Sequence, residues 1–318
     1  MLDNNAIASE YSSLIQSLCK ISEYYLFNGK LTEAIDLLSN CSHILSKSEV
    51  HAEDRLSFLL QSGKLLVTNI FLHDGEIDRA LAELKQAETL DCFSIENNEA
   101  RISDLKGLAH YYHQLHERPA DFTKALHYFE EALDKQDNSD TRLLSEILFH
   151  VGLVNEQSGK TDDAWEIYHQ AHDIAKENEH DLEQSFTARH IGFLHQQKGN
   201  LEEATQCFEE SLMLREKIGF RIYNPFAYLS LGDIHIARNE LDRAIEYCTR
   251  GQEAAIAMNN VKAQVLASYY LGKLFKKKEE WKRAQRCLEE ARDLAMEINL
   301  QDLLPEIEKE LASSKYRT

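Results

Sequence analysis

Residues 191–212 read IGFLHQQKGNLEEATQCFEESL, and this stretch decides the fold class. Gly192 is followed twelve residues later by Ala204, then by the bulky Phe208 at the fourth position beyond, and by the small Ser211 three after that. Leu201, Ala204, Cys207, Phe208, Ser211 and Leu212 recur with the 3.6-residue period of a single helix face. Gly199 stands between the two apolar runs and suits the left-handed residue that ends a helix, since it has no Cβ to clash. The stretch therefore predicts two amphipathic helices joined by a tight turn.

Working outward, the same signature returns. Gly152, Gly192, Gly232 and Gly272 lie 40 residues apart, with Ala164, Ala204, Ala244 and Ala284 in step. The register extends back through Ala125, Ala80 and Ala34, which gives seven units with spacings of 46, 45, 39, 40, 40 and 40. Five residues before an anchor alanine stand Gly29, Gly75, Gly159, Gly199 and Asn239, all expected at positive φ. A small residue on the first helix and two on the second let backbones approach, and a bulky residue between them fills the gap. One such hairpin cannot bury its apolar stripe alone, so stacking of neighbours is required.

Composition agrees. Only 12 glycines and 3 prolines occur in 318 residues, too few for the turns of an all-β fold. The net charge of −19 repels phosphate and argues against nucleic acid as a partner. The six cysteines form no C-x-x-C pair and read as reduced core residues. The opening MLDNNAIASEYSSL lacks a basic segment followed by an apolar run, and no stretch nears eighteen apolar residues. The expectation is a soluble, cytosolic protein with no membrane partner.

The pattern of a small residue on the first helix followed by A-x-x-x-F-x-x-A resembles the tetratricopeptide repeat (TPR) family, with Ile191-Gly192, Leu231-Gly232 and Leu271-Gly272 as matches, over roughly residues 8–298. The resemblance implies an all-α, right-handed superhelical solenoid. Its seven repeats would span about 8–45, 52–92, 99–137, 143–179, 183–218, 224–260 and 263–298, within a single domain covering 1–318. The 40-residue period is similar to LGN/Pins-type polarity scaffolds and to sensor modules of bacterial regulators. Residues 301–314, with Leu304, Ile307 and Leu311 on one face, read as a solvating end helix.

The sequence departs from the family in places. The family tryptophan of the first helix is absent, and Trp165 and Trp281 flank anchor alanines instead. His116–Asp121 is inserted in the third repeat and predicts a loop, with Pro119 near the next helix start. Asn224 before Pro225 predicts an N-cap with proline at N1. His195 and His235 replace a family tyrosine and are expected as packed, hydrogen-bonded core residues.

His110, His113 and His116 step around a helix rather than converging, and no metal site is expected. No G-x-G-x-x-G, G-x-x-x-x-G-K-[ST], G-x-S-x-G or H-E-x-x-H occurs, so neither a cofactor nor a catalytic constellation is expected. The basic run Lys273, Lys276, Lys277, Lys278, Lys282, Arg283 and Arg286 reads as a charged end balancing an acidic body, with an acidic-partner site as the alternative.

In the TPR family the first helix of each repeat lines the concave wall. The resemblance then implies a partner-binding groove of Arg101, Tyr111, Phe149, His150, Phe186, Arg189, His190, Phe193, Phe226, Asp233, Tyr269 and Lys273. Rings supply anchor area and charges fix direction, so a protein or peptide partner is expected. Three functions follow: a non-catalytic interaction module, a peptide- or effector-sensing regulator acting on a separate output partner, and, more remotely, an enzyme on a helical solenoid. Oligomeric state leaves no mark in the sequence.

Overall fold

Each anchor alanine lies on the second helix of a hairpin with no exposed surface, and so does the bulky residue one turn later. This follows from the packing the sequence demands. In a computed structural model, which describes residues 4–73, 75–93, 97–115, 117 and 119–314, helices account for the regular structure and no strand occurs among the described residues. The protein is an all-α tandem repeat of helical hairpins.

Contacts divide the chain into two compact units, Met1–Gln184 and Ser185–Thr318. In the first, α1 (Asn4–Phe27) pairs with α2 (Leu31–Cys41), α3 (Ala52–His73) with α4 (Ile77–Glu88), α5 (Asn98–Gln114) with α6 (Thr123–Lys135), and α7 (Thr141–Gln157) with α8 (Thr161–Glu177). A 3-10 turn, Ser42–Ser46, follows α2. The unit boundary falls inside α9 (Asp181–Gln197). The second unit continues with α10 (Leu201–Ile218), α11 (Asn224–Ala237) paired with α12 (Leu241–Ala257), and α13 (Val261–Lys277) paired with α14 (Trp281–Glu297). α15 (Leu304–Ser314) packs on α14 and α13 through Ile307 and Leu311, and begins after a turn at 301–303.

The glycines of the first helices form notches. A Cβ at Gly152 would lie 2.4 Å from the Tyr168 ring, at Gly192 2.7 Å from Phe208, at Gly232 2.7 Å from the Cys248 sulfur and at Gly272 2.6 Å from Leu288. Two further notches, unread in the sequence, are Gly63 against Leu84 and Gly107 against Phe129. All six facing side chains are fully buried. Such close approach leaves no room for a methyl group, and burying each large side chain contributes about 1.5–3 kcal/mol.

A left-handed residue closes nearly every helix of the regular repeats: Gly159, Glu179, Gly199, Gly219, Asn239, Asn259, Glu279 and Asn299. They stand 20 residues apart, one per helix. Glu179 and Glu279 hold this conformation against the steric cost a Cβ imposes, whereas glycine and asparagine adopt it readily.

Two expectations about termini are corrected. Gly75 is not in the left-handed region; it is required because a Cβ there would sit 2.4 Å from the Asn69 amide and 3.1 Å from its backbone. Asn224 does not cap α11 but is its first residue. The Tyr223 carbonyl accepts from the Phe226 and Ala227 amides, so the helix starts there, and the Asn224 Oδ1 is left buried without a partner. Of the predicted 116–121 loop, His116 and Arg118 lie outside the described residues; Asp121 accepts from the Thr123 amide at the start of α6.

Candidate binding face

The first helices of the second unit carry the charged and aromatic side chains that the repeat register singles out. On α9, the Arg189 guanidinium lies 4.5 Å over the Phe193 ring, and His190 meets the same ring edge-on at 5.7 Å. Phe193 in turn packs on Phe208 at 5.1 Å, which fixes its orientation from the hairpin's own core. Asp233 on α11 accepts a 2.6 Å hydrogen bond from Gln196 of α9. The Tyr270 hydroxyl on α13 is pushed up to about 12 by burial and then by Asp233, with Arg189 acting in the opposite sense. One turn along α9 from the Arg189–Phe193 stack, Gln196 thus ties this helix to Asp233 of α11, whose charge also acts on Tyr270 of α13. Lys273 stands 5.0 Å over the Tyr269 ring on α13.

Phe186 and Phe226 belong to a separate aromatic group at the N-terminal ends of α9 and α11. Phe186 meets Phe220 and Tyr223 edge-on at 5.8 and 5.9 Å, and Phe226 lies 6.4 Å from Tyr223. Arg215 completes this group and was not legible in the sequence. Arg215 is 1% exposed, and its guanidinium donates to the Ser185 hydroxyl at 3.2 Å and lies 5.1 Å over Phe186. Burial, with Arg189 nearby, lowers its pKa to about 9. Tyr269 is buried and donates to Glu306 of α15 at 3.0 Å, so its ring is packing rather than open surface.

In the first unit the chosen residues are mostly interior. Tyr111 packs on Phe122 at 5.3 Å and Phe149 on Tyr168 at 5.8 Å, both buried. Arg101 is half-exposed and pairs with Asp140. His150 Nδ1 lies 2.7 Å from Asp104 Oδ1, with side chains 6% and 3% exposed. Burial alone would lower the His150 pKa, but the Asp104 carboxylate outweighs it and raises it. Glu146 adds a third group, and one ligand atom from each of Asp104, Glu146 and His150 lies within 4.8 Å of the others, a spacing compatible with a metal ion. His110, from the histidine run, stacks on Tyr128 at 5.6 Å, and burial lowers its pKa to about 4.

Glu183 lies beside this cluster. Burial, reinforced by Glu146, raises its pKa from 4.5 to about 7, with Arg142 3.8 Å away. The folded state therefore holds a proton that the unfolded chain releases, and stability falls as pH rises from 4.5 through 7. Glu183→Gln is expected to flatten that decline and to raise the unfolding free energy at pH 8 by about 2 kcal/mol. Urea unfolding of both proteins at pH 5 and pH 8 checks this; parallel pH dependences would refute it.

His235 behaves as expected, buried, 2.8 Å from Glu240 and stacked on Tyr247 at 5.2 Å; His195 is half-buried. Within the basic run, Lys276 binds Glu310, Lys278 lies 2.7 Å from Asp242, and Arg283 lies 2.6 Å from Glu280 and 3.9 Å over Phe275. All six cysteines are free thiols. Among the described residues, no helix is long and apolar enough to cross a membrane.

Residues 107–311 match the family described as the MalT-like TPR region. The chain belongs to that family. Solved structures of helical repeat proteins share the fold. The NprR complex with its cognate peptide NprX superimposes with a TM-score of 0.60 at 17% identity, covering 91% of this chain and 78% of that one. The Rap protein complexed with competence and sporulation factor gives 0.54 at 14% identity, covering 96% and 98%. The STAND protein PH0952 from Pyrococcus horikoshii, with a TPR sensor, gives 0.61 at 15% identity, covering 96% and 44%. At these identities the likeness is one of fold. These matches support the TPR family and do not single out the LGN/Pins branch; no curated protein matches the MalT-like TPR chain.

Proposed function

We propose that this chain is a non-catalytic, peptide-binding module whose recognition surface is the first-helix face of residues 185–318. The observation that carries the reading is the Arg189–Phe193 stack on α9 with Asp233 of α11 hydrogen-bonded to Gln196 one turn further along that helix. A cationic group stacked on one ring, with a carboxylate beside another, offers an extended peptide both direction and anchorage. Its structural neighbours include two proteins solved with peptides or factors bound, NprR and Rap. The sensing form of this reading, in which the bound peptide regulates a separate output partner, draws support from the TPR sensor of PH0952 and the quorum sensor NprR.

A random peptide library panned on the purified chain tests the proposal. Enriched peptides should carry acidic groups, and Arg189→Glu or Lys273→Glu should weaken their binding by about tenfold or more, while Lys85→Glu on exposed α4 should not. A library that yields no binder, or binders indifferent to both reversals, would remove the groove from consideration. Small-angle scattering with an enriched peptide separates the two forms, since a sensor changes its dimensions on binding and a rigid scaffold keeps them.

A further inference from the structure

The extra length of the first repeat is spent on a cavity. In the regular repeats the second helix runs 17 residues, as in α8, α12 and α14, whereas α2 stops after 11 at Cys41 and gives way to the 3-10 turn Ser42–Ser46. The chain then turns extended at Lys47. This detour belongs to the 46-residue interval between Ala34 and Ala80, six longer than the later period. Between α2, the 3-10 turn, α3 and α4 there remains a cavity of about 410 Å³, within the range of small-molecule sites.

Its lining has two chemistries. Leu38, Leu45, Phe58 and Leu59 supply an apolar wall, and all but the half-buried Leu45 are buried. Arg79 and Glu83, one turn apart on α4, supply opposite charges. A pair at this spacing commonly forms an ion pair. Here no ion pair joins them: Arg79 spends one donor on the Ser39 hydroxyl at 2.7 Å, and the Glu83 Oε2 is buried without a partner. A guanidinium has five N–H donors, so Arg79 keeps most of its capacity. A buried carboxylate oxygen without a donor is costly, and a ligand ammonium in the cavity would relieve that cost.

We propose that this cavity binds a small apolar α-amino acid. Its ammonium donates to Glu83, its carboxylate accepts from Arg79, and its side chain lies against Leu38, Leu45, Phe58 and Leu59. Opposite charges at one site select a zwitterion over a simple anion or cation, and the leucines and phenylalanine select an apolar side chain over a polar one. Nothing in this proposal depends on the peptide face of the other unit.

Isothermal titration of the full chain with L-leucine, L-methionine and L-phenylalanine tests it, with N-acetyl-L-leucine and L-leucinamide as probes lacking one charge each. At least one free amino acid should bind saturably below about 10 mM, and both blocked forms should bind about tenfold or more weakly. Glu83→Gln and Arg79→Gln should each weaken the same ligand by about tenfold while leaving the thermal midpoint within about two degrees of the parent. The blocked probes are read on the unaltered protein, so the result does not depend on either variant folding. Absence of heat with all three amino acids, or equal binding of a blocked form, would overturn the proposal.

Discussion

Replacing His150 with leucine is expected to lower the unfolding free energy by about 3–5 kcal/mol, because it strands the Asp104 carboxylate in a site where 3% of its side chain is exposed. The hydrogen bond is 2.7 Å long and joins α5 to α7, so its loss loosens the contact between two successive repeats. The double replacement of Asp104 and His150 by leucine should recover most of the loss, since no lone charge then remains buried. The pH dependence carries a sign. His150 has a raised pKa when folded, so its contribution is whole below pH 6.5 and is lost as pH rises through the folded value. His150→Leu should lack that decline. Urea unfolding at pH 6 and pH 8 measures both, and a cost below about 1 kcal/mol would show that the pair carries little of the interface.

Gly152→Val is the second large effect, with an expected loss of about 3 kcal/mol or more. Its Cβ would sit 2.4 Å from Cε1 of Tyr168, and that ring cannot swing aside freely because its hydroxyl donates to Glu156 at 2.7 Å. Pairing the change with Tyr168→Ala should relieve the clash, so the double variant should be more stable than the sum of the two single losses predicts. A thermal midpoint unchanged in Gly152→Val would refute the tight fit of this notch.

The repeat was legible because side-chain volume at a fixed spacing is a local property of a sequence. Ala164, Ala204, Ala244 and Ala284 announce their helices without knowledge of anything distant. Gly63 and Gly107 perform the same role but stand 17 and 18 residues before their anchors instead of 12, because longer connections shift them out of phase. The proposed binding face was legible only as a list of residues. Arg189 stacks on Phe193 and Asp233 meets Gln196 of the same helix, while Tyr111, Phe149 and Tyr269 turn into the packing, since one helical step separates a more open position from a packed one. Arg215 and the Asp104–His150 pair were hidden for another reason. Their partners lie on other helices, 46 residues apart for the latter, and no spacing rule encodes such a meeting.

The notches have one further consequence. In every regular hairpin the glycine and the side chain that fills it belong to the same forty-residue block, Gly192 with Phe208 and Gly272 with Leu288. The steric specification is thus self-contained, and duplication or excision of a whole block leaves each remaining lock with its own key. Such a chain can change length during descent by copying intact cassettes, without a compensating change elsewhere.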